Sequence, residues 1–207
     1  NKEDVYIRLS QNANPNVKKK AIILKVYGAY GAFLEEDYDE FETFFMDKGY
    51  IIAKAHVRGS RAKGWQWYAD GKGSKKKNSI DDFVASANHL KEHSKTKDKP
   101  IIAYGQSAGG MIVGAVINEH AELFKAAIFD YAYLDVLNTM QNEELPLTTL
   151  EYLEWGNPNV KEDLAYVKTY SPYQNISTQS YPDLLFFAGI RDYQTPYRKH
   201  SVIDASN

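Results

Sequence analysis

The chain of 207 residues contains no cysteine, and this absence excludes several kinds of chemistry. Without thiols the chain can form no disulfide, offers no cysteine nucleophile and has no cysteine ligand for a metal. A protein without disulfides fits a reducing compartment, so we expect a cytoplasmic location.

Long apolar runs and a strong net charge are also missing. No stretch reaches the roughly 18 consecutive apolar residues of a membrane-spanning helix, and no signal-peptide pattern opens the chain. The formal net charge is −2, which gives no general attraction to nucleic acid or to an anionic membrane. We therefore expect neither partner. The length and the 43% hydrophobic content suit one globular domain.

The chain does contain an alternation of apolar runs with helical patterns. A half-buried edge strand is predicted at residues 4–9, and buried strands at 21–27, 50–55, 101–104, 126–129 and 184–188. Helical spacing occurs at 39–48 and again from Ser79, where Ser79 and Asp82 suggest a capping pair. Because such alternation is typical of βαβ units, we predict an α/β fold with a mostly parallel sheet and helices on both faces.

Polar clusters outside these elements are interpreted as surface. Residues 135–182 predict short helices and loops above the sheet, and long excursions of that kind are often functional. The lysine run at 75–77 is expected to be a solvated loop. His89 and His93 have a spacing that suits a metal, but no Glu-containing metal motif surrounds them. We expect no metal and no cofactor.

The sequence GQSAGG at residues 105–110 stands between an apolar β-prone run and a long apolar helical run. A G-x-S-x-G in that position predicts a sharp strand-to-helix turn that raises the Ser107 hydroxyl above the end of the strand. The N–H groups at the start of the helix can stabilise a developing anion. A plain glycine-serine turn is the alternative interpretation.

A serine nucleophile needs a histidine base that is oriented by a carboxylate. In folds of this type the chain order is Ser, acid, His, with the acid in the turn after a late strand. Asp192 follows the apolar run at 184–188 and fits that position, although an isolated loop aspartate often serves only as a cap.

Several longer stretches, in order along the chain, resemble the catalytic domain of the prolyl oligopeptidase family of serine peptidases, and within it the oligopeptidase B group. The resemblance implies an α/β-hydrolase fold, with residues 1–207 forming a single but partial domain that is truncated at its C-terminus. The stretches are YGAYGA (27–32), HVRG (56–59), WYADGK (67–72), KKKN (75–78), GQSAGG (105–110), LPLTT (145–149), EWGNP (154–158) and YSPY (170–173).

The resemblance assigns the catalytic roles residue by residue. Ser107 matches the nucleophile and Asp192 the acid of the triad. Tyr27 matches the tyrosine whose hydroxyl donates to the oxyanion, and the Ala108 N–H matches the second donor. A core tyrosine with its hydroxyl satisfied elsewhere is the alternative for Tyr27.

The resemblance also implies peptide substrates that are cut after arginine or lysine. Such a cation needs carboxylates in its pocket. Glu151 matches one family glutamate, whereas Leu153 replaces the second, for which Glu154 is expected to compensate. Glu35 and Asp37 match acidic positions near the adjoining subsite. Each of these acids could instead be a solvated surface charge.

The general base is the part of the triad that the sequence does not supply. His56, His89, His93 and His120 precede Asp192, and His200 follows it too closely, so we expect the chain to lack its catalytic histidine. The family's β-propeller, which packs over the active site, is also expected to be absent. The apolar run at 184–188 would then form an exposed edge strand that promotes association.

The fold and the elbow leave other functions open. An esterase or an acylaminoacyl-peptidase could use the same residues, since a fold does not determine the leaving group. The non-enzymatic alternative is a catalytically silent hydrolase domain that serves as a binding module.

Overall fold

The computed structural model describes residues 4–35, 37–192 and 195. The described strands are β1 (Tyr6–Ser10), β2 (Ala21–Val26), β3 (Tyr50–His56), β4 (Ile101–Gln106), β5 (Ala126–Asp130) and β6 (Asp183–Phe187). They form one sheet in the order β1-β3-β2-β4-β5-β6, in which β1 is antiparallel to β3 and every other pairing is parallel. The predicted α/β fold and the edge position of the first strand are therefore confirmed.

The described helices are α1 (Glu40–Asp47), α2 (Trp65–Ala69), α3 (Lys77–Glu92), α4 (Ala108–Glu119), α5 (Val136–Gln141), α6 (Tyr152–Trp155) and α7 (Lys161–Lys168). Short 3₁₀ turns lie at Gly73–Lys75, Ala121–Leu123, Thr148–Glu151 and Pro172–Asn175. Helices α5 to α7 occupy the predicted excursion between β5 and β6. In the described part of the chain, no helix is both long and apolar enough to cross a bilayer.

The core lies between the central strands and the helices α3 and α4. Strand β2 is buried along its whole length, as expected for a strand covered on both faces. Helix α4 is buried from Ala108 through Ile117, so it is apolar on every side rather than on one stripe. This packing fixes the start of α4, which carries the serine, against the centre of the sheet.

The predicted cap of α3 is wrong. The helix begins at Lys77, and the Ser79 hydroxyl instead donates to the Arg58 carbonyl at 2.7 Å. The Asp82 carboxylate accepts from Arg58 through Nε at 2.9 Å and Nη2 at 2.6 Å. Serine and aspartate at this spacing therefore anchor the loop after β3 to α3, a tertiary contact that local spacing does not reveal.

The lysine run is the second departure from expectation. Lys75 is solvated and pairs with Asp70, but Lys76 has no exposed surface. Its Nζ lies 2.8 Å from Glu154 Oε1 and 3.2 Å from the Gly28 carbonyl oxygen. A lysine is buried in this way only when its charge is partnered, and the partner comes from the distant helix α6.

Candidate active site

Ser107 occupies the turn between β4 and α4 in a strained backbone conformation, with φ 50° and ψ −119°. Non-glycine residues with positive φ are uncommon and often mark functional sites. The two glycines of the motif permit the turn because neighbouring backbone segments can come close where a side chain is missing. A Cβ on Gly109 would lie 2.1 Å from the Val26 carbonyl oxygen, and one on Gly105 would lie 2.4 Å from that of Gly109. The predicted elbow geometry is therefore present.

Backbone hydrogen bonds hold the peptide of Ser107 on both sides. Its N–H donates to the Asp130 carbonyl at 2.9 Å, and its carbonyl accepts from the Tyr133 N–H and the Gly110 N–H, both at 2.9 Å. Asp130 and Tyr133 lie at and just beyond the end of the neighbouring strand β5. The serine is thus fixed by main-chain contacts with the adjacent strand rather than by its own side chain.

Tyr27 and Ala108 lie beside the serine. Tyr27 follows strand β2, which neighbours β4, and its side chain lies close to that of Ser107. Burial raises the pKa of Tyr27, the nearby Ser107 side chain lowers it and the charges of Glu151 and Glu154 raise it, for a net increase. The phenol therefore keeps its proton and can donate. Ala108 is the first residue of α4, where backbone N–H groups have no acceptor within the helix.

Asp192 lies in the turn after β6, which is separated from β4 by the single strand β5. Two strand spacings place the ends of β4 and β6 about 10 Å apart. The Asp192 carboxylate accepts from the Thr195 N–H at 2.9 Å and from its hydroxyl at 2.6 Å. Because Thr195 lines the same cavity as Ser107, the acid turn and the serine reach one edge of the sheet together.

The cavity in front of the serine has a volume of about 100 Å³. Its lining consists of Tyr30, Ser107, Ala108, Tyr133, Leu147, Glu151 and Thr195. Glu151 Oε2 accepts from the Tyr30 hydroxyl at 2.6 Å and from Trp155 Nε1 at 2.7 Å. Within the described residues no lysine or arginine pairs with Glu151, so neutral donors hold the carboxylate while its charge remains uncompensated.

Glu154 lies in a different environment from Glu151. It is buried, its Oε1 pairs with Lys76, and its Oε2 accepts from the Tyr68 hydroxyl at 3.0 Å. Burial lowers the pKa of Lys76 against the opposing effect of Glu154. Burial, together with Glu154, raises the pKa of Tyr68 to about 12. Glu154 is not among the residues that line the cavity of Ser107.

Glu35 and Asp37 line a second cavity of about 490 Å³, which Tyr27 also borders. Lys54, on its wall, donates to the backbone carbonyl of Glu35 at 2.6 Å and pairs with Glu42 at 2.9 Å. The two predicted acids are therefore near Tyr27 but apart from the cavity that contains Glu151.

None of the four described histidines lines the cavity of Ser107. His56 is buried in β3, stacked between Tyr6 and Phe33. His89 and His93 lie at the end of α3 that leads into the start of β4, whereas Ser107 follows the end of that strand. His120 follows α4 and is separated from Ser107 by a helix about 18 Å long. His200 is outside the described residues.

Four cavity residues were not predicted as site residues from the sequence: Tyr30, Tyr133, Leu147 and Thr195. Tyr30 has φ 57°, a strained value that the sequence does not reveal. The only signal was the aromatic content of 14%, since amphipathic rings suit clefts.

The comparisons with known proteins agree on one family. The family model described as "Prolyl oligopeptidase family" matches residues 37–203. "Protease 2" from Moraxella lacunata is 41% identical over 176 residues, which are 85% of this chain and 26% of that protein. "Prolyl endopeptidase-like" from Homo sapiens is 39% identical over 184 residues, 88% of this chain and 25% of that protein. The chain thus spans about a quarter of the length of these curated relatives.

Solved structures agree with the sequence relatives. Oligopeptidase B from Trypanosoma brucei with covalently bound antipain superposes with a TM-score of 0.87 at 36% identity, over 96% of this chain and 28% of that one. Oligopeptidase B from Leishmania major gives a TM-score of 0.85 at 30% identity, over 98% of this chain and 30% of that one.

Proposed function

The chain belongs to the prolyl oligopeptidase family of serine peptidases, and we propose that residues 1–207 form part of the catalytic α/β-hydrolase domain of an oligopeptidase that cleaves short peptides after arginine or lysine. The observation that carries this proposal is the strained serine turn between β4 and α4, with the Tyr27 side chain close enough to Ser107 to affect the pKa of the phenol. A nucleophile and an oxyanion donor are thereby adjacent before substrate binds.

In the proposed reaction Ser107 Oγ attacks the scissile carbonyl and gives its proton to a histidine base. The Tyr27 hydroxyl and the Ala108 N–H donate to the oxyanion, and the leaving amine takes the proton from the histidine. Water then releases the acyl group from Ser107 by the reverse sequence of proton transfers. Asp192 orients the histidine, and each step needs only protein groups and water, so no metal or cofactor is proposed.

The histidine base is proposed to follow residue 207 in the full-length protein. The described histidines support this, since His56 is buried between two rings and the other three lie away from the cavity of Ser107. In this fold the histidine follows the acid along the chain, which also places the base after Asp192.

Glu151 supports the preference for a basic residue. A cationic side chain in the cavity would supply the counter-charge that the carboxylate lacks among the described residues. Glu35 and Asp37 are proposed to attract a second cation at the adjoining subsite, beside Tyr27. Glu154, whose charge Lys76 compensates, is proposed to support the pocket and not to bind the substrate directly.

In the full-length protein we propose a β-propeller over the cavity, which would admit peptides and exclude folded proteins. Neither nucleic acid nor a membrane is a proposed partner. The absence of cysteine supports a cytoplasmic location.

The test uses the full-length protein and its Ser107→Ala variant. Chromogenic amides that carry arginine, norleucine or proline before the scissile bond are compared with short-chain acyl esters and acylaminoacyl amides. We expect arginine amides to give the highest kcat/KM and the variant to lose activity about 10⁶-fold.

Other outcomes favour other functions. Preference for esters or for acylaminoacyl amides would replace the oligopeptidase proposal with one of the two hydrolase alternatives. No turnover and no labelling of Ser107 by a fluorophosphonate would leave a binding module as the function of this domain.

A further inference from the structure

Tyr133 is held against the serine turn by its main chain. Its backbone N–H donates to the Ser107 carbonyl at 2.9 Å, so its position is fixed relative to the nucleophile. Only 6% of Tyr133 is exposed, and its ring packs against that of Trp155 with centroids 5.2 Å apart. Tyr133 is also one of the residues that line the cavity shared by Ser107 and Glu151.

The Tyr133 hydroxyl is a buried polar group for which no described residue, within 4–35, 37–192 and 195, provides a hydrogen bond. Two other tyrosines behave differently: the hydroxyl of the buried Tyr170 donates to the Trp155 carbonyl at 3.0 Å, and the hydroxyl of the partly buried Tyr104 donates to Asp130 at 2.8 Å. A buried hydroxyl without a protein partner is costly, so one that persists beside a nucleophile calls for a functional explanation.

The surroundings of this hydroxyl indicate what it can bind. The cavity of about 100 Å³ is roughly three times the ~30 Å³ that a water occupies in the liquid, enough for one flat head group. Glu151 supplies a negative charge in the same space, held by Tyr30 and Trp155. Leu153, which stands where the resemblance expects a second acid, is 81% exposed and offers no acceptor.

We propose that Tyr133 is a specificity-determining residue whose hydroxyl accepts a hydrogen bond from the cationic head group of the substrate side chain that Glu151 attracts. A guanidinium carries five N–H donors in a fixed plane, more than one carboxylate can accept. Tyr133 lines the same cavity, and its hydroxyl would supply an additional acceptor once a head group reaches it. This inference rests on the proposed function, because it assigns a further contact within that site.

The test removes the hydroxyl and nothing else, with Tyr133→Phe in the full-length protein. Matched peptide amides carry arginine or norleucine before the scissile bond. We expect kcat/KM for the arginine substrate to fall about 10-fold, mainly through KM, because a hydrogen bond to a charged group is lost. The norleucine substrate, which has no head group to bond, is expected to change less than twofold.

Tyr170→Phe is the matched control, because it removes a buried hydroxyl that does have a protein partner. We expect it to lower Tm and to shift both substrates equally, whereas Tyr133→Phe leaves Tm unchanged or raises it. Equal changes for arginine and norleucine in Tyr133→Phe, or no change for either, would overturn the inference. A wild-type protein that does not prefer arginine over norleucine would instead overturn the proposed specificity itself.

Discussion

The cavity of Ser107 is supported on two sides that are held in different ways. The elbow wall consists of Ser107 and Ala108, which line the cavity, with Tyr27 and the glycines 105 and 109 as their support, and it is fixed by main-chain contacts at the ends of β2, β4 and β5. The network wall consists of Tyr30 and Glu151, which line the cavity, with Lys76, Glu154 and Trp155 as their support, and it is fixed by side-chain hydrogen bonds and a buried ion pair.

This difference predicts how each wall responds to change. Main-chain contacts at van der Waals distance leave no room for adjustment, so damage to the elbow wall should remove structure and activity together. Side-chain bonds on the network wall can be removed one at a time, so its losses should be graded and should depend on the substrate.

The largest effect is expected from Gly109→Ala, which breaks the elbow wall. The added methyl group would lie 2.1 Å from the Val26 carbonyl oxygen, so β2 and α4 must separate. We expect a loss of about 4 kcal/mol or more in the free energy of unfolding, together with loss of fluorophosphonate labelling. Denaturant titration and labelling of the same sample measure both.

Gly114→Ala in the same helix is the control for this prediction. Its methyl group would meet the Pro172 ring at 2.9 Å, away from the serine, so we expect a smaller loss of stability with labelling retained. A Gly109→Ala protein as stable as the wild type would refute the close-contact account of the elbow wall.

The next largest effect is expected from Lys76→Met on the network wall. It leaves the buried Glu154 carboxylate without its cation, which costs about 3–5 kcal/mol in the free energy of unfolding. Lys75→Met is the neighbouring control and should change stability far less, because its pair with Asp70 is exposed to solvent. Equal effects at the two lysines would contradict the assignment of Lys76 to the network wall.

A smaller and substrate-dependent effect is expected from Glu151→Gln. The amide keeps the size of the side chain but removes the charge, so kcat/KM for an arginine substrate should fall about 10- to 100-fold, while a norleucine substrate is unaffected. Glu119→Gln, at the far end of α4, is the control for loss of one negative charge. If salt changes kcat/KM unequally for the two substrates, that result would also support recognition of arginine by the Glu151 charge. If Glu151→Gln lowers kcat/KM equally for both substrates, Glu151 takes no part in substrate recognition.

The smallest effect is expected from Tyr30→Phe. It removes one of the two neutral donors to Glu151 and leaves the Trp155 bond, so we expect about a threefold loss for the arginine substrate. Tyr38→Phe, in which the ring is 78% exposed, should have no effect. A Tyr30→Phe loss as large as that of Glu151→Gln would show that the network acts as a unit rather than bond by bond.

The elbow wall could be predicted from sequence because its geometry depends on residue types at fixed spacing. Glycines on either side of Ser107, an apolar strand before and an apolar helix after are local features, and the structure places them as expected. The mostly parallel sheet followed from the apolar alternation, whereas the order of its strands was not predicted.

The network wall could not be predicted in this way because its contacts join distant segments. Lys76 was interpreted as solvated, yet it is buried against Glu154 of α6. Likewise, nothing in the sequence separates Glu151, which faces the cavity, from Glu154 three residues later, which does not. Only the arrangement of α6 against the lysine segment decides which carboxylate retains an uncompensated charge.

The most direct test of the account is a crystal structure of the full-length protein after reaction with an arginyl phosphonate. The account predicts a bond from phosphorus to Ser107 Oγ, with the phosphonyl oxygen within hydrogen-bonding distance of both the Tyr27 hydroxyl and the Ala108 N–H. Attachment to another residue, or a phosphonyl oxygen directed away from both donors, would contradict the central claim that these three groups form the reactive centre.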